Sequence, residues 1–322
     1  MVISDKDALR YVSGLIVLFL PLLASLFDFW SWIVEVLLIF SVLFQTRSTG
    51  CRKTAIFLGI GYILAFIPVG ISGISLIGFT PWAGILLVVI KEKGFSTSQS
   101  VFWSLLLAAL IGALPVIPSV NQALQPENLE KEIALSTQFY QQSLQLIQQF
   151  GWPSAIQNQM VSIEQYKSNL QVIMPVYYQL MPSFAGISAM IEIALVYMLY
   201  RIFLGGGKLK PFSLWRMPWY AVWLAIIGIA AYLGGDYFAN SILRITGMNV
   251  MAVAVSITSM IGLSCLAYLI KSLKFSHLLI WIIVIMVAFV SPFFFICLIF
   301  TGLFDLVFNF RKIPEKMEEQ KP

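Results

Sequence analysis

PVYYQLMPSFAGISAMIEIALVYMLYRIFL, residues 175–204, is the stretch on which the fold turns. It exceeds the ~20 apolar residues that cross a ~30 Å hydrocarbon core, and Glu192 is its only charge before Arg201. In isolation such a run fits a buried helix or a transmembrane one. Composition decides between them: 59% of the 322 residues are hydrophobic and 11% are charged, too little polar surface to cover a water-soluble fold. The bilayer is therefore the solvent, and the expected architecture is all-α, because lipid leaves helices and closed barrels as the ways to satisfy a spanning backbone.

Other apolar runs stand at Tyr11–Phe27, Ser31–Phe44, Thr54–Val69, Ile74–Ile90, Val101–Ile117, Pro218–Gly234 and Val250–Ile270, with a long stretch from Leu278 to Phe308. Together they predict a polytopic bundle of about eight to ten spans. A straight helix over 278–308 would be roughly 45 Å long, more than one crossing needs, and Ser291-Pro292 near its middle predicts two short passes or a kinked hairpin. The first run is not followed by a small-residue cleavage site, so it reads as a retained anchor.

N-terminal to the opening stretch, residues 119–174 turn polar and glutamine-rich. Leu129, Ile133, Tyr140, Leu144 and Ile147 recur at helical steps, and Ile156, Met160, Ile163, Leu170 and Ile173 form a second set after Gly151-Trp152-Pro153. The expectation is an external amphipathic helical hairpin. Four parts follow: an N-terminal membrane half (1–118), this insertion (119–174), a C-terminal membrane half (175–310) and a cytoplasmic tail (311–322). As a structural cap, a cavity lid or a docking arm, the insertion is open to three readings.

Lys and Arg set the orientation. Arg47, Arg52 and Lys53, then Lys91 and Lys93, then Arg201, Lys208, Lys210 and Arg216, then Lys271 and Lys274 are separated by even numbers of runs, so all fall on one side, expected to be the cytoplasm. Both termini are expected there, and the insertion opposite. The net charge of +5 resides in these short loops, not on a basic aromatic face, so nucleic acid is not an expected partner. Cys51, Cys265 and Cys297 are too scattered for a disulfide framework or zinc site, and His277 lacks a second histidine, so neither metal nor cofactor is expected. No spacing pairs a nucleophile with a base, so no enzyme activity is expected.

Ionisable groups at membrane depth are functional candidates by default. Glu192 qualifies, with Ser188 one turn before it on the same face, and Arg201 is half a turn out of phase and roughly 13 Å along the axis, too far to neutralise it. Glu35, early in the second run, is the other carboxylate; interhelical hydrogen bonding and headgroup water are the bland alternatives. Gly70 and Gly73, with Gly59, Gly61, Gly78 and Gly84, punctuate the third and fourth runs beside Pro68 and Pro81. Close packing explains such glycines, and so does a broken helix lining a cavity. Substrate binding by Glu192, Ser188, Glu35, Gly70 and Gly73 is the resulting expectation.

Two strings are distinctive: Lys210-Pro-Phe-Ser-Leu-Trp-Arg-Met-Pro-Trp-Tyr-Ala-Val-Trp223 and Gly302-Leu-Phe-Asp-Leu-Val-Phe-Asn-Phe-Arg311. In Pro211, Phe212, Trp215, Arg216 and Pro218, then Gly302, Asp305, Phe310 and Arg311, the chain resembles the YybS-like family of predicted bacterial membrane proteins, which has no assigned biochemical function. The likeness in layout covers nearly the whole chain, and it marks these residues as a family motif and candidate partner-docking surface. That family is distantly similar to the substrate-binding subunits of energy-coupling-factor importers, which work with other membrane subunits and cytosolic ATPases. Those subunits carry a small-residue coupling motif on an early helix, whereas the Ala185-x-x-x-Ala189 pattern here lies late. The resemblance implies solute binding or transport; a scaffold for envelope or division machinery is the competing expectation.

Overall fold

The computed structural model describes residues 5–26, 31–150, 161–203, 211–272 and 292–313, with isolated positions between 280 and 286. The described residues are helical, with no strand among them. In chain order the helices are α1 (Asp5–Leu26), α2 (Ser31–Thr49), α3 (Cys51–Ile77), α4 (Pro81–Glu92), α5 (Thr97–Ala113), α6 (Ile117–Ala123), α7 (Pro126–Gln149), α8 (Ile163–Phe203), α9 (Val222–Tyr237), α10 (Ser241–Ser272) and α11 (Pro292–Phe308). Among them, seven segments are long and apolar enough to cross a membrane, and α11 adds a shorter apolar helix.

Each boundary has a local cause. At Gly70 the φ/ψ of 68°/−153° breaks α3, and Gly78, with φ of +67°, ends its continuation. That left-handed turn leads to Pro81, whose fixed φ suits the first position of α4. The apolar run 74–90 is thus two helical pieces around a turn at 78–80, because glycine and proline interrupt it where hydropathy does not. Helix α5 opens on a capping box: Gln99 N–H donates to Ser96 Oγ (3.2 Å) and Ser96 N–H donates to Gln99 Oε1 (3.1 Å).

Helix α8 is the axis of the molecule. Its 41 residues, roughly 60 Å at 1.5 Å per residue, run from the polar insertion straight into the bundle, so the expected boundary at 174/175 lies inside one continuous helix. Pro175 and Pro182 are both accommodated within it. The 118/119 boundary likewise falls inside α6. Helix α7 pairs with the outer part of α8: the Tyr140 and Tyr166 rings stack at 4.1 Å, and Tyr140 O–H donates to the Val161 carbonyl (2.9 Å). The expected hinge at Gly151-Trp152-Pro153 lies outside the described residues.

Two buried clusters hold the bundle. One joins α1, α2, α3 and α4 through Val17, Leu38, Leu58 and Ile85; the other joins α2, α4, α5, α8, α10 and α11 through Leu43, Leu87, Leu105, Ile193, Ile261 and Leu306. Helix α2 belongs to both, so it ties the N-terminal helices to α8. Outside these clusters Ile67, Leu110, Phe203, Ile227 and Phe293 are exposed, as lipid-facing side chains are. Helices α10 and α11 meet at bare backbone: a Cβ on Gly302 would clash with the Thr258 carbonyl, and one on Gly262 with the Leu298 carbonyl.

The basic loops are tied together at one end. Arg47 Nη1 donates to Tyr200 Oη (3.1 Å), Ser98 Oγ to the Arg216 carbonyl (2.7 Å), Lys271 Nζ to Ser213 Oγ (2.9 Å), and Arg216 Nη1 to the Ile313 carbonyl (2.6 Å). The ends of α10 and α11 therefore meet at the same loop. The Ser291 turn and most of 273–291 lie outside the described residues, as do His277, Lys274, Lys208 and Lys210.

Candidate functional site

Glu35 lies about one turn into α2, roughly 6 Å from its start, and Glu192 lies roughly 16 Å before the end of α8. The packing of α2 against α8 brings their carboxyl groups within hydrogen-bonding reach of each other. Glu192 is 5% exposed and Glu35 is half-buried. Ionised carboxylates are acceptors only, so two that face each other cannot bond without a positive particle between them. Accordingly Glu35 Oε1 and Glu192 Oε2 are buried and have no donor. No Lys or Arg forms a salt bridge with either carboxyl among the described residues; the buried ion pair of the bundle is elsewhere.

The broken fourth run supplies the rest of the site. Thr80, 2% exposed and immediately before α4, sets its hydroxyl beside the Glu35 carboxyl group. This places a carboxylate beside the N-terminal end of α4, where the helix dipole favours negative charge. Gly78 lies against the same group: a Cβ there would sit 2.9 Å from Glu35 Oε1. Tyr62 from α3 holds the turn by donating its hydroxyl to the Gly78 carbonyl (2.7 Å) and stacking on Phe79 at 5.8 Å.

Of the other candidates, Ser188 Oγ makes a long contact with Glu192 Oε1 (3.5 Å) while remaining exposed. Gly70 breaks α3, but a Cβ on it would meet nothing within 4 Å, and Gly73 lies in the short helical continuation to Ile77. Gly78 is the glycine set against Glu35. Thr80 and Tyr62 escaped sequence reasoning; Thr80-Pro81 after a glycine was the available signal, as a helix start placed inside an apolar run.

The family-motif residues gather at the basic end into a second buried polar cluster. Arg311, with its side chain 3% exposed, donates Nε and Nη2 to Asp305 Oδ2 (3.1 and 2.7 Å), Nη1 to the Ser213 carbonyl (2.8 Å) and to Ser264 Oγ (2.6 Å), and Nη2 to the Trp215 carbonyl (2.8 Å). Ser264 Oγ donates to the Phe212 carbonyl (2.7 Å), and the Phe212 and Trp215 rings meet edge to face at 5.2 Å. Pro211 and Pro218 each precede a one-turn 3-10 helix in this loop, and Gly302 sets the close approach of α11. Every donor group of the Arg311 guanidinium is directed inward, so this cluster joins the loop 211–221, α10 and the end of α11. Ser213 and Ser264 complete it, and no spacing in the sequence pairs them with Arg311.

Helical spans, lipid-facing apolar side chains and buried polar clusters define a polytopic α-helical membrane protein. The chain belongs to the family described as Predicted membrane protein (DUF2232), whose family model matches residues 8–306. No curated protein and no solved structure matches it.

Proposed function

We propose that this protein binds or transports a small solute at the Glu35–Glu192 site, as a multi-pass protein of a bacterial inner membrane with both termini in the cytoplasm. The observation that carries the reading is the meeting of a buried and a half-buried carboxyl group, from helices far apart in sequence, at the turn of a broken helix. Such a pair lowers stability if it is only structural, because desolvated charge is costly. Backbone broken inside a bundle is a feature of solute-binding membrane proteins. The positive-inside distribution of Lys and Arg supports the orientation. The YybS-like resemblance, and through it the distant likeness to energy-coupling-factor substrate-binding subunits, is consistent with a non-enzymatic role alongside other membrane subunits or a cytosolic ATPase.

The test is to extract the wild-type protein and the Glu35→Gln/Glu192→Gln variant in native lipid nanodiscs and compare co-purifying small molecules by mass spectrometry. A compound enriched with the wild type and lost from the folded variant is expected. Identical profiles overturn the assignment.

A scaffold for envelope machinery is the second reading. It is favoured by the exposed apolar residues of α7, Phe139 and Leu146, with Phe150 just beyond. Cellular crosslinking from these positions to wall-synthesis proteins would support it.

A further inference from the structure

We infer that the Glu35–Glu192 pair binds a hard metal cation and releases protons as it does so. The inference rests on the solute-binding reading and specifies its chemistry. Glu192, 5% exposed, directs an oxygen without a donor into the bundle interior, and Glu35 leaves one of its own oxygens in the same condition. Two facing acceptors repel unless a proton or a cation lies between them. The polar groups at the position are oxygen donors: the two carboxylates, the Thr80 hydroxyl, and the Ser188 hydroxyl at longer range. Carboxylate and hydroxyl oxygens suit hard cations such as Na⁺ or Mg²⁺, and with two carboxylates and no larger His, Cys, Asp or Glu cluster among the described residues, the hydroxyls and water complete the coordination.

The groups facing the pair come from four helices: Glu35 from α2, Tyr62 from α3, Thr80 from the start of α4, and Glu192 and Ser188 from α8. Among the described residues none of the groups facing the pair is basic, so a proton or a cation supplies the compensating charge. In a low-dielectric interior the occupied site has to stay near electroneutrality. Two protons on the two carboxyls meet that condition. A cation entering breaks as many carboxyl O–H bonds as it carries charges, forms metal–oxygen contacts in their place, and sends the protons to solvent: one for Na⁺, two for Mg²⁺. Nothing is oxidised or reduced.

The experiment uses the full chain in lipid nanodiscs, in weakly buffered solution with a pH indicator, titrated with sodium chloride or magnesium chloride and with choline chloride as the ionic-strength control. Saturable proton release from the wild type with at least one metal salt, absent with choline, is expected. The Glu35→Gln/Glu192→Gln variant should release none above the choline level, while Glu130→Gln, altered at an exposed position of α7, should match the wild type. Release no greater than with choline from the wild type, or equal release from the double variant, overturns the inference. If release fails while the double variant still loses a co-purifying organic compound, solute binding stands and the cation falls; if both fail, both readings fall.

Discussion

Asp305 and Arg311, six residues apart, close the end of α11 with a 2.7 Å ion pair that is almost wholly shielded from solvent. Because the same guanidinium also reaches the Ser213 and Trp215 carbonyls, the pair fixes the loop 211–221 against α10 as well as ending its own helix. Removing one partner strands the other. Arg311→Ala is expected to destabilise the protein by about 3–5 kcal/mol, with Asp305→Ala similar. The double variant should cost less than the sum, a coupling that thermal or denaturant unfolding in detergent would read as a double-mutant cycle.

Glu192→Gln should act in the opposite direction on stability. A carboxamide keeps a permanent donor toward the Glu35 carboxyl, can never become a buried charge, and has no acidic proton to exchange for a cation. Its melting temperature is expected to rise while cation-linked proton release is lost. A fall in melting temperature with release intact would mark Glu192 as a structural residue.

Gly78→Ala combines a left-handed backbone conformation with a Cβ placed against Glu35 Oε1. Backbone strain alone costs about 1–3 kcal/mol. Lower thermal stability and weakened cation-linked release are expected together. At Gly70 there is strain but open space, so Gly70→Ala should lower stability and leave release at saturation unchanged.

Gly302→Ala drives a methyl group into the Thr258 carbonyl, backbone against backbone. Overpacking of this kind costs about 1–3 kcal/mol or more where the neighbour cannot yield. The expected result is a sharp fall in the folded, monodisperse fraction on size-exclusion chromatography, with Gly59→Ala, which meets nothing within 4 Å, as the tolerated control.

Hydrogen bonds from Lys271 and Arg311 to Ser213 place the end of α11 beside the basic loops. A fluorescent protein fused after Pro322 should fluoresce, and alkaline phosphatase inserted after Gln149 should be active. The reverse pattern would overturn the proposed orientation, and matched signals from the two sites would overturn the topology.

Much was legible in the sequence because membrane helices are specified locally. Apolar length marked the runs that became α1, α2, α3 and α10, and the three- and four-residue repeat of Ile133, Tyr140 and Leu144 marked α7. Hydropathy missed the division of 74–90 because apolar content is blind to backbone dihedrals, and Gly78 acts through φ, not through transfer energy. It also set a boundary at 174/175 where polarity changes within one helix, since a helix continuing out of the membrane changes solvent but not hydrogen bonding.

Residues 175–204, read with the composition of the whole sequence, determined that the chain lives in a bilayer and carries a carboxylate there, since the cost of exposing that much apolar surface to water is additive along the chain. They did not determine what Glu192 faces. The packing of α2 against α8 and the turn at Gly78–Thr80 decided that, bringing Glu35 and the Thr80 hydroxyl to one position. The same holds for Arg311, whose partners Ser213 and Ser264 come from a loop and a helix distant in sequence. Both clusters depend on contacts between segments that no local pattern links, and a buried polar group is understood from the partners that surround it.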